Sequence, residues 1–318
     1  MSSMRILGTA RSPAARPRLP TLPSATGARA HARAYANTTV DLAYDVFPPP
    51  KARPEAAGQS LVIAHGLFGS KQNWRSLAKG FAQKLGMPVY TVDLRNHGAS
   101  PHATPHTYAA MADDLAAFMA KHDLQRVNLM GHSMGGKASM VVALSEALNK
   151  PVRSLISVDM SAAATKLSPD FVSYIDGMIE IQDAHVPSRA AADALLQKYE
   201  PALSIRQFLL TNAVARDDGV IDFRIPLRLL KLQVDNLGRF PFTPPPPVTP
   251  TSPQWDGPAL FIKGGDSKYL NKYNIPVCQA YFPNMRLETL EGAGHWVHAE
   301  KPKEVVELVY EFVNSVKE

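Results

Sequence analysis

Beyond residue 40 the chain switches repeatedly between two hydrophobic periods, and this constrains its fold more than any other feature. Short aliphatic and β-branched runs at 61–64, 89–92, 127–130, 152–158, 259–262 and 285–290 read as buried strands. Between the early runs, apolar residues recur at helical spacing. Trp74, Leu77, Ala78, Phe81, Ala82 and Leu85 stripe one predicted helix, with Asn73 as its cap, and Tyr108, Met111, Leu115, Phe118 and Met119 stripe the next. A further stripe from Val305 to Val316 predicts a closing helix. Strand, helix, strand in succession is the pattern of an α/β domain, a mostly parallel sheet covered by helices on both faces.

The alternation stops between Asp159 and Gly257. That stretch reads as helices with no clear buried strand, as expected of a helical cap inserted at about residues 162–251 between two core strands. Its end, Pro241 to Pro253, contains four consecutive prolines and reads as an extended linker back to the sheet.

The charge distribution argues against a nucleic-acid partner. The net charge is +6, but residues 1–40 hold Arg5, Arg11, Arg16, Arg18, Arg29 and Arg33 and no acid, which leaves 28 basic residues against 28 acidic ones in the rest. An arginine-, serine- and alanine-rich leader without acids, lacking a compact apolar core, predicts a mitochondrial transit peptide over residues 1–35 and matrix import of residues 36–318. Arg33-Ala34-Tyr35-Ala36 resembles a matrix-processing site. A single cysteine, Cys278, excludes an internal disulfide and reads as a small buried hydrophobe. No run of apolar residues is long enough to predict a transmembrane segment.

Three loops carry chemistry. Gly131-His132-Ser133-Met134-Gly135 follows an apolar strand directly and precedes a helical run, the setting in which a serine on a sharp turn projects its hydroxyl above a sheet. Ser133 is the expected nucleophile, and the backbone N–H of Met134 points into the site. His65-Gly66-Leu67-Phe68-Gly69 ends the first strong strand, where the N–H of Leu67 is the expected second donor of an oxyanion hole. Gly292-Ala293-Gly294-His295-Trp296 follows the last strand and offers His295 as general base, with His298 as a weaker competitor that lacks the flanking glycines. The acid that orients the histidine stands at one of two strand ends. Asp159 is preferred and Asp266 is the alternative, since Ser267 fills the slot where the usual spacing puts an acid. The run Asp93 to Ser100 reads as a loop fixed by internal hydrogen bonds, and His97, His102 and His106 lack the carboxylate support of a metal site, so no metal is expected.

Together the motifs H-G-L-F-G-S-K-Q-N-W, V-D-L-R-N-H-G-A-S-P-H, G-H-S-M-G-G-K and G-A-G-H-W-V-H-A-E-K-P resemble one branch of the α/β-hydrolase superfamily over about residues 40 to 318. That branch holds the mitochondrial abhydrolase-domain-eleven hydrolases, bacterial esterase relatives and the yeast ethanol acetyltransferases. The resemblance implies an esterase or thioesterase that forms an acyl-serine on a small-molecule ester or acyl thioester, with no cofactor. It also implies an acid from the strand after the nucleophile's helix, which matches Asp159. The chain departs from the branch in carrying Asp266 and in its proline-rich segment. Two alternatives accompany this expectation: an alcohol acyltransferase using the same triad, and a non-catalytic binding module for a mitochondrial enzyme complex.

Overall fold

The structure is a computed structural model that describes residues 39–242 and 253–317. The predicted leader, its processing site and the prolines Pro244 to Pro247 lie outside the described residues.

Strand β1 (Tyr44–Phe47) opens the sheet, followed by β2 (Gln59–Ala64), helix α1 (Arg75–Leu85), β3 (Val89–Val92), α2 (Tyr108–Lys121) and β4 (Arg126–His132). Next come α3 (Met134–Leu144) and β5 (Val152–Val158). The inserted stretch then contributes α4 (Pro169–Asp183), α5 (Arg189–Leu196), α6 (Leu203–Leu210), the short strands β6 (Ala213–Ala215) and β7 (Ile221–Phe223), and α7 (Leu227–Gln233). The chain returns through β8 (Ala259–Gly264), α8 (Ile275–Tyr281), β9 (Met285–Leu290), α9 (Val297–Glu300) and α10 (Pro302–Ser315).

The sheet runs β1-β3-β2-β4-β5-β8-β9, and all its pairings are parallel except that of β1 with β3. The six strands read from the sequence are all present. Edge strand β1 was not legible, because its four residues Tyr-Asp-Val-Phe alternate without a strong apolar run and Tyr44 and Val46 remain exposed. The small antiparallel pair β6 and β7 corrects the expectation of a purely helical insertion. Each strand has three residues, too short for a period of two to stand out.

Burial follows the pleat. In β2, Leu61 and Ile63 pack with α1 and α10, while Val62 and Ala64 pack on the opposite face with α2 and α3. The first helix begins at Arg75 rather than after Asn73. Asn73 instead lies in a short 3-10 turn and accepts the Ser70 N–H on its side chain at 2.6 Å. The α2 stripe has Thr107 as its cap, accepting the Ala110 N–H.

The strand order places the site. From β2 the chain moves to β3 on one side, then crosses back to β4 on the other, so the connections leaving β2 and β4 diverge at their carboxyl ends. A crevice opens at such a switch point in a parallel sheet, and the loops His65 to Gly69 and Gly131 to Gly135 border it.

Candidate active site

Ser133 stands between β4 and α3 with φ 52° and ψ −118°, a conformation that costs a non-glycine residue of order 1–3 kcal/mol and persists only when its surroundings enforce it. Here they do. A side chain on Gly131 would lie 2.3 Å from the Gly135 backbone, and one on Gly135 would lie 2.4 Å from the carbonyl oxygen of Ala64. The turn closes against the end of β2 only because both positions are glycine. The Gly135 N–H donates to the His65 carbonyl at 3.1 Å, tying the turn to the neighbouring loop.

His295, in the loop after β9, brings Nε2 to 3.0 Å from Ser133 Oγ and Nδ1 to 2.7 Å from Asp159 Oδ2. With the Asp159 carboxylate accepting from Nδ1–H, the lone pair of Nε2 faces the serine hydroxyl. The imidazole also stacks on Tyr269, with ring centres 3.8 Å apart. His132 donates from Nε2 to the His295 carbonyl at 2.9 Å, fixing the backbone of that loop.

The two candidate acids separate clearly. Asp159 is fully buried just past β5, with φ 49°, and accepts the Gly264 N–H at 3.1 Å as well as the Ser267 hydroxyl. Asp266 is exposed on the loop after β8, and its carboxylate has no hydrogen bond to His295 or Ser267, both of which bond Asp159 instead. Ser267, in the slot where an acid was sought, donates to the carboxylate that comes from the adjacent strand.

The backbone N–H groups of Leu67 and Met134 have no hydrogen-bond partner among the described residues, and both residues border the cavity at Ser133. Sequence reasoning missed what holds the Leu67 loop. His65 accepts the Leu94 N–H at Nε2 and donates from Nδ1 to the Gly66 carbonyl, and His97 accepts the Phe68 N–H and donates to the Arg95 carbonyl. Burial lowers the pKa of both, which keeps them neutral and able to accept and donate at once. The two motifs HG and RNH thus brace each other. The second is anchored by Asp93, which accepts from the Lys71 and Ala99 N–H groups, and by a buried bidentate pair of Arg95 with Asp114 at 2.6 and 2.7 Å.

It is His295, not His298, that hydrogen-bonds the serine. His298 stacks on Trp74 at 4.3 Å, and burial pushes its pKa down to about 3. Cys278 is buried, its thiol pushed up to about 12 by burial, and its sulfur accepts the Ala162 N–H. No group of three or more potential ligands able to hold a metal occurs among the described residues, and no described helix is long and apolar enough to cross a membrane.

The cavity around Ser133 has two narrow lobes. One is walled mainly by Phe68, Phe171, Ile205, Phe208, Leu209 and Trp296. The other lies between α3 and the start of the insertion.

Comparison with known proteins identifies the family. Residues 59–302 match the family described as alpha/beta hydrolase fold. The chain is 39% identical to the sn-1-specific diacylglycerol lipase ABHD11 of Xenopus tropicalis, over 88% of this chain and 84% of that protein. It is 32% identical to the probable alcohol acetyltransferase of Saccharomyces cerevisiae, over 86% and 83%. Among solved structures, a marine microorganism esterase superposes with a TM-score of 0.73 at 32% identity, covering 86% of this chain and all of that one. The chain therefore belongs to the α/β-hydrolase fold family and is an enzyme, a serine hydrolase of carboxylic esters. Within the family it falls in the branch of the ABHD11 hydrolases, the yeast acetyltransferases and their bacterial esterase relatives.

Proposed function

We propose that Ser133, His295 and Asp159 form the catalytic triad, with the Leu67 and Met134 N–H groups as oxyanion hole. The observation that carries this is the continuous line Ser133 Oγ, His295 Nε2, His295 Nδ1, Asp159 Oδ2, at 3.0 and 2.7 Å. As Oγ bonds to the substrate carbonyl carbon, its proton passes to Nε2 and the carbonyl π pair moves to the oxygen held by the two N–H groups. Collapse of that intermediate breaks the ester C–O bond, or the C–S bond of a thioester, while imidazolium returns its proton to the leaving group. Water then repeats the sequence and frees the acid. Asp159 stabilises the imidazolium without taking its proton.

The inserted residues, about 162–251, act as a cap over this site, a reading supported by the helices α4 and α6, which contribute Phe171, Ile205, Phe208 and Leu209 to the apolar lobe. Such a lobe suits an acyl or glyceride chain, in keeping with the lipase name of the ABHD11 relatives. The yeast relatives support a second outcome, in which an alcohol such as ethanol intercepts the acyl-serine. Residues 1–35 serve as a cleaved mitochondrial transit peptide, supported by their arginines and absence of acids.

Fluorophosphonate labelling followed by peptide mapping is expected to modify Ser133 alone, and aryl-ester turnover in the presence of ethanol reports the partition between acid and ethyl ester. Absence of labelling in folded protein would overturn the triad and revive the binding-module reading. A fluorescent reporter fused to residues 1–40 is expected in mitochondria, and a diffuse signal would remove the import assignment.

A further inference from the structure

Lys137 lies one helical turn after Ser133 in α3, its N–H donating to the Ser133 carbonyl at 3.1 Å. Both residues line the same lobe of the cavity. Lys137 is 1% exposed. A buried charge is costly unless it is paired and hydrogen-bonded. Yet among the described residues Nζ has no ion pair or hydrogen bond, and its contact is with the face of the Tyr108 ring, 5.4 Å from the centroid. Tyr108 offers no anion, because its hydroxyl donates to the Leu237 carbonyl.

Lys137 borders the second lobe, together with Thr165, Lys166, Ser168 and Tyr269. Among the described residues, two lysines and no carboxylate line that lobe itself, with Asp170 and Asp266 farther out where it widens toward the surface, whereas the first lobe has neither lysine nor acid and is mostly aromatic and aliphatic. Ser133 borders both lobes. An ester attacked there must direct its acyl half into one lobe and its alcohol half into the other. The apolar lobe accepts a hydrocarbon half without cost. The other holds a buried lysine with unfilled hydrogen-bonding capacity.

We infer that Lys137 is a specificity residue that binds a carboxylate carried by the half of the substrate opposite the apolar lobe, so that the preferred substrates are anionic esters such as the monoesters of short dicarboxylic acids. The inference rests on the ester-hydrolase reading of Ser133 and narrows it to a charged substrate class. The solvent-exposed Lys166 at the rim adds long-range attraction for the same group. Burial lowers the Lys137 pKa only to about 8, so the ammonium form still prevails at neutral pH.

The test compares wild type, Lys137→Met and Lys137→Arg on two pairs of esters matched in size. One pair carries a carboxylate or its methyl ester on the acyl half, as in monoaryl glutarates, and the other carries it on the leaving half, as in 4-acetoxybenzoate against its methyl ester. Loss of one charged hydrogen bond corresponds to roughly 10- to 100-fold in kcat/KM. In one of the two pairs the anionic-to-neutral ratio is expected to fall by about that factor in Lys137→Met, mainly through KM, and to recover in Lys137→Arg. As a measure independent of turnover, free glutarate should protect Ser133 from fluorophosphonate in wild type more than in Lys137→Met. An unchanged ratio in both pairs with equal protection would overturn the inference while leaving the esterase reading intact. Failure of every ester together with an unreactive Ser133 would overturn that reading, and the inference with it.

Discussion

The carboxyl edge of the sheet and the insertion above it build the same cavity by different means. At the edge, Ser133, Asp159 and the Leu67 loop leave consecutive neighbours β4, β5 and β2, whose spacing is set by backbone register, Gly131 opposite Ser157 and Ala64 opposite Gly131. In the insertion, apart from the β6–β7 pair, side chains do much of the positioning. Tyr174 bonds Glu200, Arg206 holds Asp193 at 2.9 Å and the carbonyls of Glu200 and Pro201, and Asn212 reaches across to the Phe68 carbonyl at 2.7 Å. Register leaves little freedom to the reacting groups. Side-chain packing lets the walls vary in sequence while the chemistry beneath stays the same, so changes at the edge should alter rate and changes in the insertion should alter selectivity.

The strongest way to break this contrast is at the edge. Asp159→Asn removes the carboxylate that fixes the histidine tautomer, and kcat on a short aryl ester is expected to fall by about 10⁴-fold. Activity within tenfold of wild type would show that the triad is not held as the register implies. Phe208→Ala, in the insertion, should shift the kcat/KM ratio between long- and short-chain acyl esters by roughly tenfold, the scale of a changed apolar contact. A uniform loss across chain lengths would place Phe208 in the machinery of the reaction rather than in the wall. Asp266→Asn should have the smallest effect, about twofold or less in kcat on the same ester, because that carboxylate is exposed and His295 Nδ1 is bonded to Asp159 instead. A loss comparable to that of Asp159→Asn would reverse the assignment of the acid.

Much of the sheet was legible because a buried strand on a parallel sheet needs an uninterrupted apolar run, and 61–64, 127–130 and 259–262 provide one. The strands that the sequence did not announce, β1, β6 and β7, have only three or four residues each, and β1 and β6 are partly exposed, so no apolar run marks them. The bracing roles of His65 and His97 were equally hidden. Their partners lie 29 residues away in sequence, and only the crossing from β2 to β3 brings the two loops together.

By itself the sequence pointed to Ser133, the nucleophile proposed above. The clash that a side chain at Gly131 or Gly135 would create is local, as is the tight turn it permits, so a serine between them at the end of an apolar strand can be recognised within a few residues. Which carboxylate lies against His295 was a different kind of question. Asp159 and Asp266 both end core strands, and the choice depended on a positive φ at Asp159 and on the pairing of Val158 with Ile262, which brings Ser267 and the Gly264 N–H to that carboxylate. His295 is 136 residues from Asp159 in sequence. A contact over that separation is made by the stacking of strands in one sheet, and for that reason only the tertiary structure decided it.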